Sequence, residues 1–392
     1  MERKESKKKS KSRRLHYKDL DALRFIGFLL VFIMHVKSFF SEDLANESGK
    51  HLDNALTFGG VFGIELFFTI SAFLITALAI REIEYYGGFK LLSFYKRRAL
   101  RIFPLYFLIL LLIFIGIPKT ITFLDLNYHF KFPPLLPFLT FSSNFYYFGN
   151  GADFFTGLVI LWTIAVEVQF YLVWGFIINL LGRNLKNICY AFISFGVLYR
   201  LSSGLFTEMQ AFKDYHSYYN TLYYLSDFGI GALIAVHVRE KKDLVEYIKS
   251  LEKNFLKYLY FGFVGYLIVA GVFYGNIIFS VLNAILVPSI VGFIIIEQTF
   301  SSYSPFKFRN FKFASYLGKI SYGSYMFHIL VMDFIVFGIA IWKGEHQGEL
   351  GGFIKAIFPL VAFILTLILA HLSYKYFEKP FLRMRREFKR LS

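Results

Sequence analysis

The chain is 392 residues long, 56% hydrophobic and 21% aromatic, with 51 phenylalanines and 27 tyrosines. So apolar a composition excludes an ordinary soluble globule and points to a multi-spanning membrane protein. The formal net charge of +16 raises nucleic acid as a partner, but the placement of the basic residues gives that charge a different meaning.

Residues 1–18 hold nine lysines and arginines and have the composition of a solvated, disordered segment. They lack interleaved aromatics, so attraction of a basic juxtamembrane tail to anionic lipid explains them better than nucleic-acid binding does. The first apolar run, Leu20–Phe40, carries Arg24 and His35. Eleven positions make about three helical turns, so the two share one face about 16 Å apart along the axis. Ionisable groups at membrane depth usually face a bundle interior or a wet cavity. Arg24 is also placed to snorkel to the interface, and His35 to be a satisfied core histidine; at this point both readings of each stand open. The run is long and no small-residue cleavage site precedes Ser41, so it is read as a retained span.

Runs near the length needed to cross hydrocarbon follow at 58–80, 100–117, 157–181, 188–203, 219–238, 257–275, 277–297, 314–341 and 353–377. With the first they make about ten spans, although 188–203 is short and 257–297 is also readable as one helix broken at Tyr274-Gly275-Asn276. Counting Lys and Arg with the N-terminus inside gives 34 on inner segments and five on outer ones. That asymmetry follows the positive-inside rule and predicts both ends in the cytoplasm. The expected fold class is therefore an all-α polytopic bundle: a basic disordered tail over 1–18, a membrane domain over 19–378 and a basic tail over 379–392. The outer segment 118–155, rich in proline and aromatics, suits an interfacial cap. The single cysteine, Cys189, supports neither a disulfide framework nor a cysteine metal site, and no metal is expected.

Several polar residues fall within these spans. By depth His35 is expected level with Glu65, whose carboxylate would fix the imidazole tautomer and leave the other nitrogen as a general base. Ser71 and Glu167 are both mid-span and are expected to line one cavity, with helix packing or a structural ion pair as the plainer explanation. Asp227, His328 and Asp333 also lie within spans, so depth alone singles out no one set. Arg98 and Arg101, three apart, are neighbours on one helical face at the inner mouth of the third span, near the depth of Arg24. They anchor topology or form a phosphate-competent fork.

Taken together these segments resemble the integral-membrane acyltransferase-3 family, bacterial proteins that O-acylate extracytoplasmic carbohydrates. Asp21-Ala22-Leu23-Arg24 through His35 is similar to its opening motif, and Gly63–Thr76 to its second-span motif, with Glu65 in place of aspartate and Ala72 in place of glycine. Tyr95–Tyr106 resembles the basic motif with its paired arginines. Leu161–Trp174 resembles the fourth-span motif, keeping Glu167 while Val168 replaces a second glutamate. Ser321–Ile329 matches a late motif around His328, and Leu372–Leu382 the terminal one.

The resemblance implies a multi-pass protein of the bacterial inner membrane with no permanently bound cofactor. An acyl-CoA donor, most often acetyl-CoA, would set its phosphates against Arg24, Arg98 and Arg101 and extend its pantetheine arm between the helices. The acceptor, a hydroxyl of a surface carbohydrate or lipid-linked glycan, would arrive from the outer face. His35 would serve as base or acyl carrier, Glu65 would orient it, and Ser71 and Glu167 would give polar support. The rival reading is a transporter or proton-coupled permease with His35, Glu65 and Glu167 as its path.

Overall fold

The computed structural model describes residues 18–37, 47–123, 125, 131–150, 155–203, 218–301, 303–345 and 352–385. Backbone groups in lipid must be satisfied within the segment, which makes long apolar runs helical. Among the described residues ten helices are 16 residues or longer: α1 Lys18–Val36, α2 Glu47–Tyr86, α3 Leu91–Leu111, α4 Leu161–Leu181, α5 Leu185–Ser203, α6 Leu225–Glu240, α7 Lys253–Val272, α8 Ile277–Phe300, α9 Ser321–Glu345 and α10 Gly352–Leu372. No strand occurs among these residues. Eight helical stretches are long and apolar enough to cross a membrane, and they include all of these helices except α1 and α5. Those two carry more polar groups. Asp19, Asp21 and Arg24 lie in the first turns of α1, and Lys186 and Arg200 in α5.

The ends of the elements depart from the expected boundaries. α2 is 40 residues long, about 60 Å by helical rise, and begins eleven residues before the expected run. α10 continues through a π-helical turn, Ser373–Glu378, into a helix at Lys379–Met384, so the segment expected as a tail from 379 starts as helix. The remainder of both expected tails, 1–17 and 386–392, lies outside the described residues. Two short helices, Leu136–Leu139 and Ser143–Asn150, occupy the expected cap. Tyr106 of α3 donates to the Phe138 carbonyl at 2.8 Å, and Gln169 of α4 donates to the Phe141 carbonyl and to Asn144 Oδ1, each at 2.8 Å, which pins the cap to the bundle.

Lipid tails are as apolar as leucine, so helices in a membrane associate through close packing and interhelical hydrogen bonds. Both devices hold α2 at the centre. A Cβ at Gly63 would lie 2.6 Å from the Gly27 carbonyl oxygen of α1, and one at Gly231 of α6 would lie 2.4 Å from the Thr69 carbonyl oxygen of α2. Glycine at these two positions lets the backbones meet. Trp174 of α4 donates its indole N–H to Thr76 at 2.8 Å, and Phe170 of α4 stacks on Phe228 of α6 with ring centres 3.9 Å apart.

A charged brace crosses the same layer. Arg200 of α5 is 1% exposed and donates to Glu65 Oε1 of α2 at 2.8 Å and to Asp227 Oδ2 of α6 at 2.9 Å. Its Nε donates to the Tyr223 carbonyl at 3.1 Å, and the guanidinium lies 4.0 Å from the centre of the Tyr223 ring. Removing one partner of a buried pair leaves an uncompensated charge in low dielectric and costs about 3–5 kcal/mol. Arg200→Ala is therefore expected to lower the thermal midpoint of the detergent-solubilised protein strongly, because it strands two carboxylates; an unchanged midpoint would show the brace to be dispensable.

Candidate active site

Five helices line a pocket with about 740 Å³ of space between its atoms, a volume that includes open solvent. α2 contributes Ile64, Phe67, Phe68, Ser71 and Leu74, which recur every three or four residues and so form one stripe. α1 contributes Arg24, α3 Arg98 and Arg101, α4 Thr163, Glu167 and Tyr171, and α9 Tyr322 and Tyr325.

One end of the cavity is basic. Arg24 stands 3.7 Å from Asp21 Oδ1, a loose pair within one helix turn. Arg98 lies against the Tyr171 ring at 5.6 Å and the Phe94 ring at 5.7 Å, and its buried Nε has no hydrogen-bond partner. Among the described residues no carboxylate lies within ion-pair distance of Arg98 or Arg101. Arg385, just past the last helix, belongs to the same field: burial, then Arg101, Arg98, Arg24 and Arg97, push its guanidinium down to about 10. Cations held this close, two of them with no carboxylate at ion-pair distance, make a site for an anion, and guanidinium forks match phosphate geometry.

The middle is polar, and Thr163 and Tyr325 also line the cavity. Ser71 donates to Glu167 Oε1 at 2.6 Å, and the Tyr171 hydroxyl donates to the same oxygen. Thr163 donates to the Ile160 carbonyl at 2.9 Å, so the 2.9 Å contact between Thr163 and Tyr325 takes its proton from the tyrosine. Phe67 meets the Tyr325 ring edge-on with centres 6.1 Å apart. One turn past Tyr325 two histidines meet. His328, with no exposed surface, has Nδ1 2.6 Å from the Tyr325 carbonyl and Nε2 3.2 Å from His35 Nδ1. His35 Nδ1 is also 2.9 Å from the Val31 carbonyl.

The structure thus brings Arg24, Ser71, Arg98, Arg101 and Glu167 to one cavity, while His35 is not among its lining residues and meets His328, one turn past Tyr325. Glu65 is not beside His35, against the expectation from depth. The contact between Gly27 and Gly63 sets antiparallel α1 and α2 in register, which separates Glu65 and His35 by about 15 Å along the axis. The early start of α2 is what the depth argument lacked. Glu65 also sits off the stripe formed by Ile64, Phe68 and Ser71, and it faces Arg200 instead. Sequence reasoning left the role of His328 open and missed Tyr171, Tyr325 and Arg385. The spacing of Tyr322, Tyr325 and His328 at every third residue was a usable signal of one helical face.

A family model described as an acyltransferase domain, that of acyltransferase-3, matches residues 17–375. Among curated proteins, "Putative O-acetyltransferase SACOL0978" of Staphylococcus aureus strain COL is 27% identical over 353 residues, covering 84% of this chain and 54% of the relative. "O-acetyltransferase OatA" of S. aureus strain NCTC 8325 is 26% identical over 348 residues, with the same coverage. The chain spans about half the length of the curated relatives it matches. No solved structure matches it. With the family model covering nearly all of the helical bundle, the chain belongs to the acyltransferase-3 family.

Proposed function

We propose that this chain is a membrane O-acyltransferase that takes an acyl group from acyl-CoA at the basic end of the cavity and delivers it to a hydroxyl of an extracytoplasmic carbohydrate. The observation that carries the reading is the pairing of two unlike ends: an arginine cluster at one end of the cavity, in which Arg98 and Arg101 have no carboxylate at ion-pair distance among the described residues, and a histidine pair about 16 Å from Arg24 along α1. That length suits a donor whose phosphates stay outside while its thioester reaches inward. The relatives named O-acetyltransferases support acetyl as the group moved. The excess of basic residues on alternate loops supports a multi-pass inner-membrane protein with both ends, and the arginine mouth, in the cytoplasm.

In this mechanism Arg24, Arg98 and Arg101 hold the phosphates, and Ser71, Glu167 and Tyr171 offer hydrogen bonds to the amides of the pantetheine arm. His35 Nε2 takes the proton of the acceptor hydroxyl as its oxygen attacks the thioester carbonyl. The tetrahedral adduct collapses, the C–S bond breaks, and the thiolate leaves with the proton that His35 returns. Transfer through an acyl-imidazole would use the same nitrogen.

His35→Ala is expected to abolish release of free CoA from acetyl-CoA while the protein stays inserted and folded; full activity in membranes would refute the assignment. Replacing Arg98 and Arg101 together by alanine should raise the apparent KM for acetyl-CoA by roughly tenfold or more per arginine, since each lost charged hydrogen bond is worth about 1.5–3 kcal/mol. The acceptor KM should stay where it was. An unchanged donor KM would return both arginines to topology anchors.

A further inference from the structure

We infer that Arg385 binds the phosphate of the donor that lies farthest from its thioester, the 3′-phosphate on the ribose of acyl-CoA. The inference rests on the proposed use of an acyl-CoA and names the group of that donor which this residue recognises. Arg385 caps the closing helix Lys379–Met384, its amide donating to the Phe381 carbonyl at 3.2 Å. The π-helical turn Ser373–Glu378 and the closing helix both pack against α3, which carries Arg98 and Arg101. On its other side the turn meets α9 at Gly323, where a Cβ would lie 3.1 Å from Glu378 Oε1. The neighbouring Tyr322 lines the cavity and donates to the Ile102 carbonyl of α3 at 2.8 Å. Packing therefore sets Arg385 at the basic end of the cavity without making it part of the lining. Burial, then Arg101, Arg98, Arg24 and Arg97, disfavour its charge there.

The order of the arginines matches the order of charges along such a donor. Arg24, Arg98 and Arg101 line the cavity, where a pantetheine arm would enter, so the diphosphate falls to them. Arg385 stands outside that lining, where the next anionic group along the molecule would lie. A phosphomonoester carries about −1.5 to −2 charges near neutral pH and accepts hydrogen bonds from a guanidinium fork. Arg385 is available to it. Among the described residues no carboxylate lies within ion-pair distance of Arg385, and Glu378, in the turn before it, accepts from Ser373 at 3.0 Å. A half-buried guanidinium repelled by its neighbours gains most from a group of high negative charge, which offsets that repulsion.

Acetyl-CoA and acetyl-3′-dephospho-CoA differ in that phosphate alone. With the full-length protein in membranes, release of the free thiol should give wild type an apparent KM about tenfold or more higher for the dephospho donor, the worth of one charged hydrogen bond. Arg385→Ala should raise the KM for acetyl-CoA by a similar factor and leave the KM for the dephospho donor where it was. Arg385→Lys, which keeps the charge, should recover much of the loss. A second readout needs no turnover: CoA should raise the thermal midpoint of the solubilised wild type more than 3′-dephospho-CoA does, and Arg385→Ala should remove the difference. Equal losses on both donors would make Arg385 a part of the general basic field, and a loss on neither would return it to a topology anchor or a contact with anionic lipid; both results overturn the inference. A wild type that treats the two donors alike overturns it without any variant. If wild type neither releases CoA from acetyl-CoA nor is stabilised by CoA, the donor itself is wrong and the proposed function fails with it.

Discussion

The backbone contact between Gly27 and Gly63 governs where the chemistry of this protein sits. A side chain at Gly63 would collide with the Gly27 carbonyl, so glycine there lets α1 and α2 meet at this register. From that register follow the position of Arg24 against the cavity stripe of α2, the place of His35 outside the cavity lining, and the turning of Glu65 towards α5. Close backbone approach at small residues is the usual source of helix association in lipid, where apolar side chains gain little by meeting each other. Here it also assigns roles to polar residues several turns away.

Buried charge in this bundle comes in two states. Arg200 has carboxylates at 2.8 and 2.9 Å, a backbone carbonyl and a tyrosine face, and it borders no part of the cavity. It is a brace between α2, α5 and α6, stable only while every partner is present. Arg98, Arg101 and Arg385 stand in the opposite state, mutually repelling and grouped at an open mouth, so their energetics improve when an anion arrives. A transport path would need Glu65 in a cavity and able to exchange its partner. The geometry ties it to Arg200 instead, which weakens the permease reading at its central residue.

Much of this was legible in the sequence, for local reasons. Apolar runs gave the helices because a helix satisfies its backbone within itself. Helical spacing alone relates Arg24 to His35 and Arg98 to Arg101, and similar depth places Ser71 with Glu167, which the structure joins at 2.6 Å. What was not legible depends on packing between distant segments. Glu65 finds Arg200 across 135 residues, and His35 finds His328 across 293. Depth fixes only one coordinate of a side chain; the register and rotation of each helix fix the others, and neither is written in hydropathy. Arg385 was read as one basic residue of a tail, since nothing in the sequence says that the final helix returns it to the mouth formed by α1 and α3.

Tyr325 joins the two ends of the site. Its hydroxyl holds Thr163 at the cavity wall, while its backbone carbonyl takes the Nδ1 proton of His328. A change of the side-chain rotamer would leave that carbonyl where it is, because the carbonyl belongs to the α9 backbone and moves only with the helix. The side-chain contact and the backbone anchor coexist there because rotation about χ1 leaves the main chain in place.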